Sequence, residues 1–122
     1  IQSPAGQAVL GALKHPAAGV RKAAAMVLGS KLGGGQAILD AGLLQDADLH
    51  TRLAAILALA DTPWSDAVAR ALYTASLEPQ NFRDRWLSRA LYVAAYRHRD
   101  RILTMYKADP AAVAPTALPL AV

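Results

Sequence analysis

The chain has no cysteine, which excludes disulfide bonds, thiolate zinc sites and cysteine nucleophiles from any account of its function. Aromatic residues form only 6% of its 122 positions, and only nine residues carry a carboxylate side chain. No apolar run approaches the roughly 18 residues that a membrane-spanning helix requires, because the uninterrupted run 54–60 is far too short. The start of the chain lacks the charged segment followed by an apolar one that marks a signal peptide.

Hydrophobic residues are plentiful, at 54% against 18% charged residues, and this balance excludes a wholly disordered chain. Much of the apolar fraction is alanine, a strong helix former that permits close approach of helices. The length suits one domain with a real core, which we place at 1–108, followed by a tail at 109–122. The first residue is Ile1 rather than methionine, so we expect the chain to be a piece of a longer protein.

Basic residues are concentrated in the last third of the chain, although the formal net charge is only +4. Residues 1–80 contain six Lys/Arg and six Asp/Glu, whereas residues 81–107 contain seven basic and two acidic residues. The segment 81–107 is therefore the only electrostatically biased region of the sequence.

A pattern recurs along the chain with a period of about 31 to 33 residues, within the range typical of repeat architectures. In the first copy, 15–29, a turn with a proline leads into a helix that opens with Val-Arg and continues in small and aliphatic residues. The pattern returns at 46–59 and, more loosely, at 78–88.

Apolar periodicity, glycines and prolines predict helices at about 4–14, 16–31, 36–44, 49–60, 62–77, 81–97 and 100–107. The run Gly33-Gly34-Gly35 is predicted to interrupt the helical structure between the second and third helices. Three prolines after position 109 forbid a continuous helix, so the tail is expected to be an extended strap or the start of a linker. The predicted fold is all-α, an α-solenoid of about three helix pairs with an extended, proline-rich C-terminal tail.

Each predicted helix carries apolar residues on one side, spaced to form a buried stripe. The second helix is expected to bury Val20, Ala24, Val27 and Leu28. The fourth is expected to bury Leu49, Leu53, Ile56, Leu57 and Ala60. The sixth is expected to bury Leu87, Ala90, Leu91 and Ala94; the other predicted core residues are Val9, Leu10, Leu13, Ile38, Leu39, Leu43, Val68, Leu72, Tyr73, Ile102, Leu103 and Tyr106.

Three helix starts carry capping signals. Asp48 is the predicted N-cap of the fourth helix, and Thr62 that of the fifth, with Pro63 at the first helical position. Asn81 and Asp84 resemble a capping box at the start of the sixth helix.

Three segments resemble the HEAT-like repeat, especially its short bacterial form. They are Val-Arg-Lys-Ala-Ala at 20–24, Asp-Ala-Asp at 46–48 and Arg-Leu-Ala-Ala at 52–55. The resemblance covers about 5–107. In that family a loop aspartate and a helix arginine form a ladder of charge-assisted hydrogen bonds between repeats. The resemblance implies that Arg21, Arg52 and Arg85 are structural arginines, with Asp46 or Asp48 as their partners. A second register of the third repeat would place Arg89 in this role instead of Arg85. The first repeat departs from the family pattern, because His15 and Pro16 stand where an aspartate would.

A narrower resemblance involves the segments 13–21 and 81–87, which look like the HEAT segment of large bacterial secreted dehydrogenase-like proteins. Those proteins join a β-propeller, a HEAT-like region and a haem-binding cytochrome module. The chain carries no Cys-x-x-Cys-His motif, so this resemblance implies a non-catalytic middle segment of a larger protein. It also implies an extracytoplasmic location.

Catalytic and metal-binding patterns are sparse. His15, His50 and His98 lack zinc-ligand spacing and are interpreted as surface or capping residues. None of the five serines lies in a Gly-x-Ser-x-Gly elbow, and the glycine run lacks the Gly-Lys-Ser/Thr ending of a phosphate-binding loop. We therefore expect no catalytic residues, no bound metal and no cofactor in this chain.

The sixth predicted helix carries a stripe of arginines and tyrosines opposite its apolar side, formed by Arg85, Arg89, Tyr92, Tyr96 and Arg99. Such a stripe can hold phosphates and stack on planar groups, so nucleic acid is one possible partner. The alternative is a protein interface, either with a neighbouring domain of the same chain or with another protein. The modest net charge and the lack of a matching basic column in the other repeats favour the protein interface. The sequence thus predicts a protein-interaction or spacer module, with nucleic-acid binding as the alternative.

Overall fold

The computed structural model describes residues 4–29, 34–63 and 65–108, and this part of the chain is all-helical, with no strand. It contains eight α-helices and one 3₁₀ turn: α1 (Pro4–Ala12), α2 (Ala18–Leu28), α3 (Gly34–Asp40), the 3₁₀ turn (Leu43–Gln45), α4 (Leu49–Ala60), α5 (Asp66–Ser76), α6 (Pro79–Arg83), α7 (Arg85–Arg97) and α8 (Arg99–Ala108). The predicted tail 109–122 lies outside the described residues. No helix of the described residues is both long and apolar enough to cross a bilayer.

Helix α4 is the centre of the structure, because it packs against both α2 and α7. The C-terminal ends of these helices meet, since Gly29 after α2 packs on Ala58 of α4, and Asp61 after α4 pairs with Arg97 of α7. The N-terminal ends also meet, through Arg21 at the start of α2 and the loop before α4. The three helices α2, α4 and α7 are therefore parallel neighbours. Around them, α1 and α3 contact α2, and α5 contacts α3, α7 and α8.

The core follows the predicted stripe on α7, where Leu87, Ala90, Leu91 and Ala94 are all buried. The stripe predicted on α4 is only partly correct: Ile56 and Ala60 are buried, whereas Leu49 and Leu53 are half-buried. Leu57 was predicted to be buried but is 45% exposed. The reason is that α4 has neighbours on several sides, and Leu57 lies on the one side that they leave open.

The predicted stripe of α2 is wrong in part. Ala24 and Leu28 are buried, but Val20 and Val27 are exposed, and Ala25 is buried in their place. The sequence pattern favours the larger aliphatic side chains, whereas the structure buries the smaller ones. Small side chains let α2 approach α4 closely, and a Cβ atom on Gly29 would lie 3.0 Å from the Cβ atom of Ala58.

The predicted break at the glycine run is also wrong in part, because Gly34 and Gly35 form the first turn of α3. Both are buried. A Cβ atom on Gly34 would overlap the carbonyl oxygen of Leu28, and one on Gly35 would lie 2.9 Å from Cγ2 of Thr62. These glycines are therefore needed for close approach of α3 to the ends of α2 and α4.

Two of the predicted caps are corrected by the structure, while the third is confirmed. The Asp48 carboxylate accepts the Thr51 N–H at 2.8 Å, as predicted for an N-cap. Helix α5 begins later than predicted, because Ser65 is its N-cap and accepts the Val68 N–H at 3.1 Å. The Thr62 hydroxyl instead donates to the Leu59 carbonyl at 2.8 Å, which satisfies an orphan carbonyl at the end of α4.

The predicted capping box at Asn81 and Asp84 does not form. Asp84 is the N-cap of α7 and accepts the N–H groups of Trp86 and Leu87, each at 2.9 Å. Asn81 is buried within a short separate helix, α6, and its side chain donates to the Ala75 carbonyl at 2.8 Å. The buried amide has a different role, described below.

Replacing Ile56 by aspartate is expected to unfold the domain. An unpaired carboxylate at this fully buried position costs several kcal/mol, against a total stability of about 5–15 kcal/mol for a typical domain. Leu57→Asp is the matched control, because that side chain is 45% exposed. Circular dichroism at 222 nm should show a melting transition for Leu57→Asp and none for Ile56→Asp. An Ile56→Asp protein that melts close to the wild type would show that α4 is misplaced.

Gly34→Ala is expected to destabilise the fold by about 1–3 kcal/mol, because the added methyl group overlaps backbone of α2. Gly11→Ala in α1 is the control, since nothing lies within 4 Å of a Cβ atom there. The control should be neutral or stabilising by up to about 1 kcal/mol, as alanine is the better helix former. Urea unfolding measures both, and equal effects of the two substitutions would contradict the close packing at Gly34.

Candidate functional site

Arg21 ties the start of α2 to two loops. Its Nε and Nη2 groups donate to the two carboxylate oxygens of Asp46 at 2.8 and 2.9 Å, a bidentate ion pair. Its Nη1 group donates to the carbonyls of His15 and Pro16, both at 2.9 Å. One guanidinium therefore joins the loop before its own helix to the loop before α4.

Arg52, at the start of α4, is buried. It makes a similar connection in the next copy of the repeat. Its Nε and Nη2 groups donate to the Asp46 carbonyl at 3.1 and 2.7 Å. Its Nη1 group donates to the side-chain oxygens of Gln80 and Asn81 at 3.1 and 3.0 Å. All these acceptors are uncharged, so the predicted carboxylate partner of Arg52 is replaced by a carbonyl and two amides.

The two networks have the same plan at a spacing of 31 residues. Arg21 and Arg52 each donate to the carbonyl six positions before them, at His15 and Asp46. Each of those residues also accepts the N–H group two positions after it, His15 through Nδ1 and Asp46 through Oδ1. We name Arg21, Arg52 and their acceptors the arginine ladder. His15 thus takes over the turn-forming role of an aspartate, although it does not pair with an arginine through its side chain.

Two other residues predicted for the ladder lie outside it. Asp48 does not bond to an arginine, because its carboxylate accepts both the N–H and the hydroxyl of Thr51. Arg85 is exposed, and its guanidinium lies over the Trp86 ring at 5.4 Å from the ring centroid. Sequence reasoning missed Asn81 as a member of the ladder. The signal was its position in the third copy of the repeat, near the place that Asp46 and Asp48 occupy in the second copy.

The ladder shifts the protonation equilibria of its charged groups. The hydrogen bonds from Arg21 hold the pKa of Asp46 below its ordinary value, and the same bonds raise the pKa of Arg21. The hydrogen bonds from the Thr51 hydroxyl and N–H lower the pKa of Asp48. Both carboxylates are therefore ionised at neutral pH, as the ion pair and the helix cap require.

The arginines and tyrosines predicted to share one side of a helix are exposed in the structure, mostly on α7. We name Arg85, Arg89, Tyr92, Tyr96 and Arg99 the arginine–tyrosine face. Tyr92 and Tyr96 are 56% and 61% exposed. The Arg99 guanidinium lies 4.4 Å from the centroid of the Tyr96 ring and donates to the Tyr96 carbonyl at 2.9 Å. An open concavity of about 700 Å³ is lined by Tyr92, Val93, Tyr96, Arg97 and Arg99.

A second concavity lies between α2 and α4 and was not anticipated from the sequence. We name it the methionine–leucine groove; its volume is about 440 Å³, and it is lined by Lys22, Met26, Gly29, His50, Leu53, Ala54, Leu57, Ala58 and Asp61. The Asp61 carboxylate is 3.3 Å from Nη1 of Arg97, and Arg97 lines the concavity on α7. The two concavities therefore share an edge at the Asp61–Arg97 pair.

The histidines are distributed as single residues. His15 and His50 are exposed, as expected, but His98 is buried, and its Nε2 atom lies 3.1 Å from the Leu59 carbonyl. The His98 ring, in the turn after α7, therefore lies within hydrogen-bonding distance of a carbonyl at the end of α4. Among the described residues, no group of three or more histidine, cysteine or acidic side chains could hold a metal ion.

Comparisons with known proteins return no match. No family model matches the chain, and no curated protein or solved structure does so.

The Asp46–Arg21 pair makes stability depend on acid pH. The pKa of Asp46 is lower in the folded state than in the unfolded state. Its contribution to the free energy of unfolding is therefore complete above the ordinary aspartate pKa and is lost as the pH falls through the lowered value. Asp46→Asn should lower Tm at pH 7 and flatten the fall of Tm between about pH 5 and pH 2.

The control for that experiment is Asp40→Asn, which alters an exposed carboxylate whose one hydrogen-bond donor among the described residues is Gln36 on the same helix. It should keep the wild-type Tm at pH 7 and the wild-type slope. If Tm falls by the same amount on acidification in the wild type and in Asp46→Asn, Asp46 is not the cause of the pH dependence of stability.

Proposed function

We propose that this chain is a segment of a HEAT-like α-solenoid that acts as a non-catalytic protein-interaction and spacer module. Its partner would be a neighbouring domain of the same, longer chain or another protein. Any catalysis would then belong to other domains of that longer protein.

The solenoid part of the proposal is supported by the arginine ladder. Arg21 and Arg52 each donate to the carbonyl six positions before them and to a side-chain oxygen from the next copy of the sequence pattern, so consecutive copies are joined on a similar plan. The parallel packing of α2, α4 and α7 is the arrangement that a stack of helix pairs would give.

The interaction part is carried by the distribution of exposed large hydrophobic side chains. In the described part of the chain, all of them lie on α2, α4 and α7, the helices that the ladder aligns: Val20, Met26, Val27, Leu57, Trp86, Tyr92, Val93 and Tyr96. Large exposed apolar patches with a polar rim mark protein-interaction sites. The arginine–tyrosine face forms one side of this surface.

Nucleic-acid binding is the second candidate, and the exposure of the arginine–tyrosine face favours it. Two observations make it the weaker one. Arg85 and Arg99 already lie over aromatic rings, and Arg97 pairs with Asp61. The adjoining groove on α2 and α4 presents Met26 and Leu57 rather than a second row of cations.

The first test is fluorescence anisotropy of labelled single-stranded and duplex oligonucleotides, titrated with the protein at about 50 and 200 mM salt. A protein-interaction module should show no binding at protein concentrations up to about 100 μM, the weak limit of non-specific DNA binding. Micromolar binding that falls steeply with salt would overturn the proposal, if Arg85→Glu/Arg89→Glu abolishes it. The matched control is Arg70→Glu/Arg83→Glu, which makes the same charge change outside the face.

A further inference from the structure

We propose that the methionine–leucine groove, together with the adjoining Arg97 and Arg99, binds an acidic, amphipathic helical segment of a partner protein. This inference rests on the proposed protein-interaction function and names the chemistry of the partner. The apolar side of the segment would fill the groove, and its carboxylates would face the arginines.

The groove has the floor that an apolar helix side requires. Met26, Leu53 and Leu57 line it together with small residues, and Met26 is 65% exposed. A flexible methionine can adapt to the side chains of a partner, and a volume of about 440 Å³ lies in the usual range of binding clefts.

The length of the groove fits a short helix. It extends along α4 from His50 to Asp61, which is about 16 Å at 1.5 Å per residue. Three helical turns of 5.4 Å cover about the same distance, so a partner helix of about 11–15 residues spans the groove.

The rim of the groove determines the charge of the partner. Lys22 lines the groove, and Asp61, the only carboxylate that lines it among the described residues, is paired with Arg97. Arg97 and Arg99 also line the adjoining concavity. The surface is therefore an apolar floor with a positive rim, which is complementary to apolar residues flanked by glutamate or aspartate.

A phosphate backbone complements this surface less well than an acidic helix does. Between His50 and Asp61 the groove floor on α4 is apolar, so it offers a nucleic acid no charged contacts there. An amphipathic helix uses both parts of the surface.

The test uses three fluorescein-labelled peptides of about 15 residues, long enough for the three-turn groove. All have leucines at i, i+3, i+4 and i+7; the flanking positions are glutamate in the first, glutamine in the second and lysine in the third. We expect micromolar binding of the glutamate peptide, at least tenfold tighter than that of the lysine peptide, and weaker at about 200 than at about 50 mM salt.

Two substitutions locate the binding surface. Leu57→Glu should raise the Kd of the glutamate peptide at least tenfold. Val27→Glu changes an exposed residue that does not line the groove, and it should leave the Kd within twofold of the wild-type value. Asp61→Asn should tighten the glutamate peptide about threefold, because it removes the carboxylate and frees Arg97. A gain of affinity cannot result from misfolding.

The outcomes separate this inference from the proposed function. Equal or tighter binding of the glutamine or lysine peptide would overturn the acidic partner, but it would leave a protein-interaction module. No binding of any peptide, or no effect of Leu57→Glu, would overturn the site. Displacement of the glutamate peptide by an oligonucleotide that binds more tightly would overturn both the inference and the proposed function.

Discussion

The buried guanidinium of Arg52 is the group on which the rest of the structure depends. A cation withdrawn from water must keep its hydrogen bonds, and those of Arg52 go to Asp46 in the loop before α4 and to Gln80 and Asn81 in α6. Asp46 is shared, because its carbonyl binds Arg52 and its carboxylate binds Arg21. The relative positions of α2, α4 and α7 are thus set at one end by the acceptors of two arginines.

On these three helices small residues share the interior with leucine and isoleucine, and several large side chains are exposed. Alanines and glycines fill much of the space between helices, while methionine, leucine, tyrosine and tryptophan side chains of the same helices face outward. Small residues allow close packing and large ones supply contact area, and three of the five aromatic side chains that the structure describes (Trp86, Tyr92 and Tyr96) lie where another molecule can reach them. The distribution connects the composition to the proposed interaction role.

Sequence reasoning predicted the helical class, most helix positions and the local cap at Asp48, since these depend on neighbouring residues alone. It failed where a choice depends on tertiary contacts. Val27 fits an apolar stripe, but close helix packing favours alanine; Gly35 looks like a break, but it is a contact point for α3. Asn81 resembles a helix cap, but it is buried against a distant arginine. The exposure of the arginine–tyrosine face followed from helical periodicity, whereas the adjoining groove needs two helices and has no sequence signal.

The spacing of the ladder contacts has a consequence for how the chain folds. The side-chain bonds that join consecutive copies span only 25 residues at Arg21 and 29 at Arg52. Short loops lose little entropy on closure, and structures dominated by such contacts fold quickly. Each connection can therefore form as soon as the next loop leaves the ribosome, without waiting for the end of the chain.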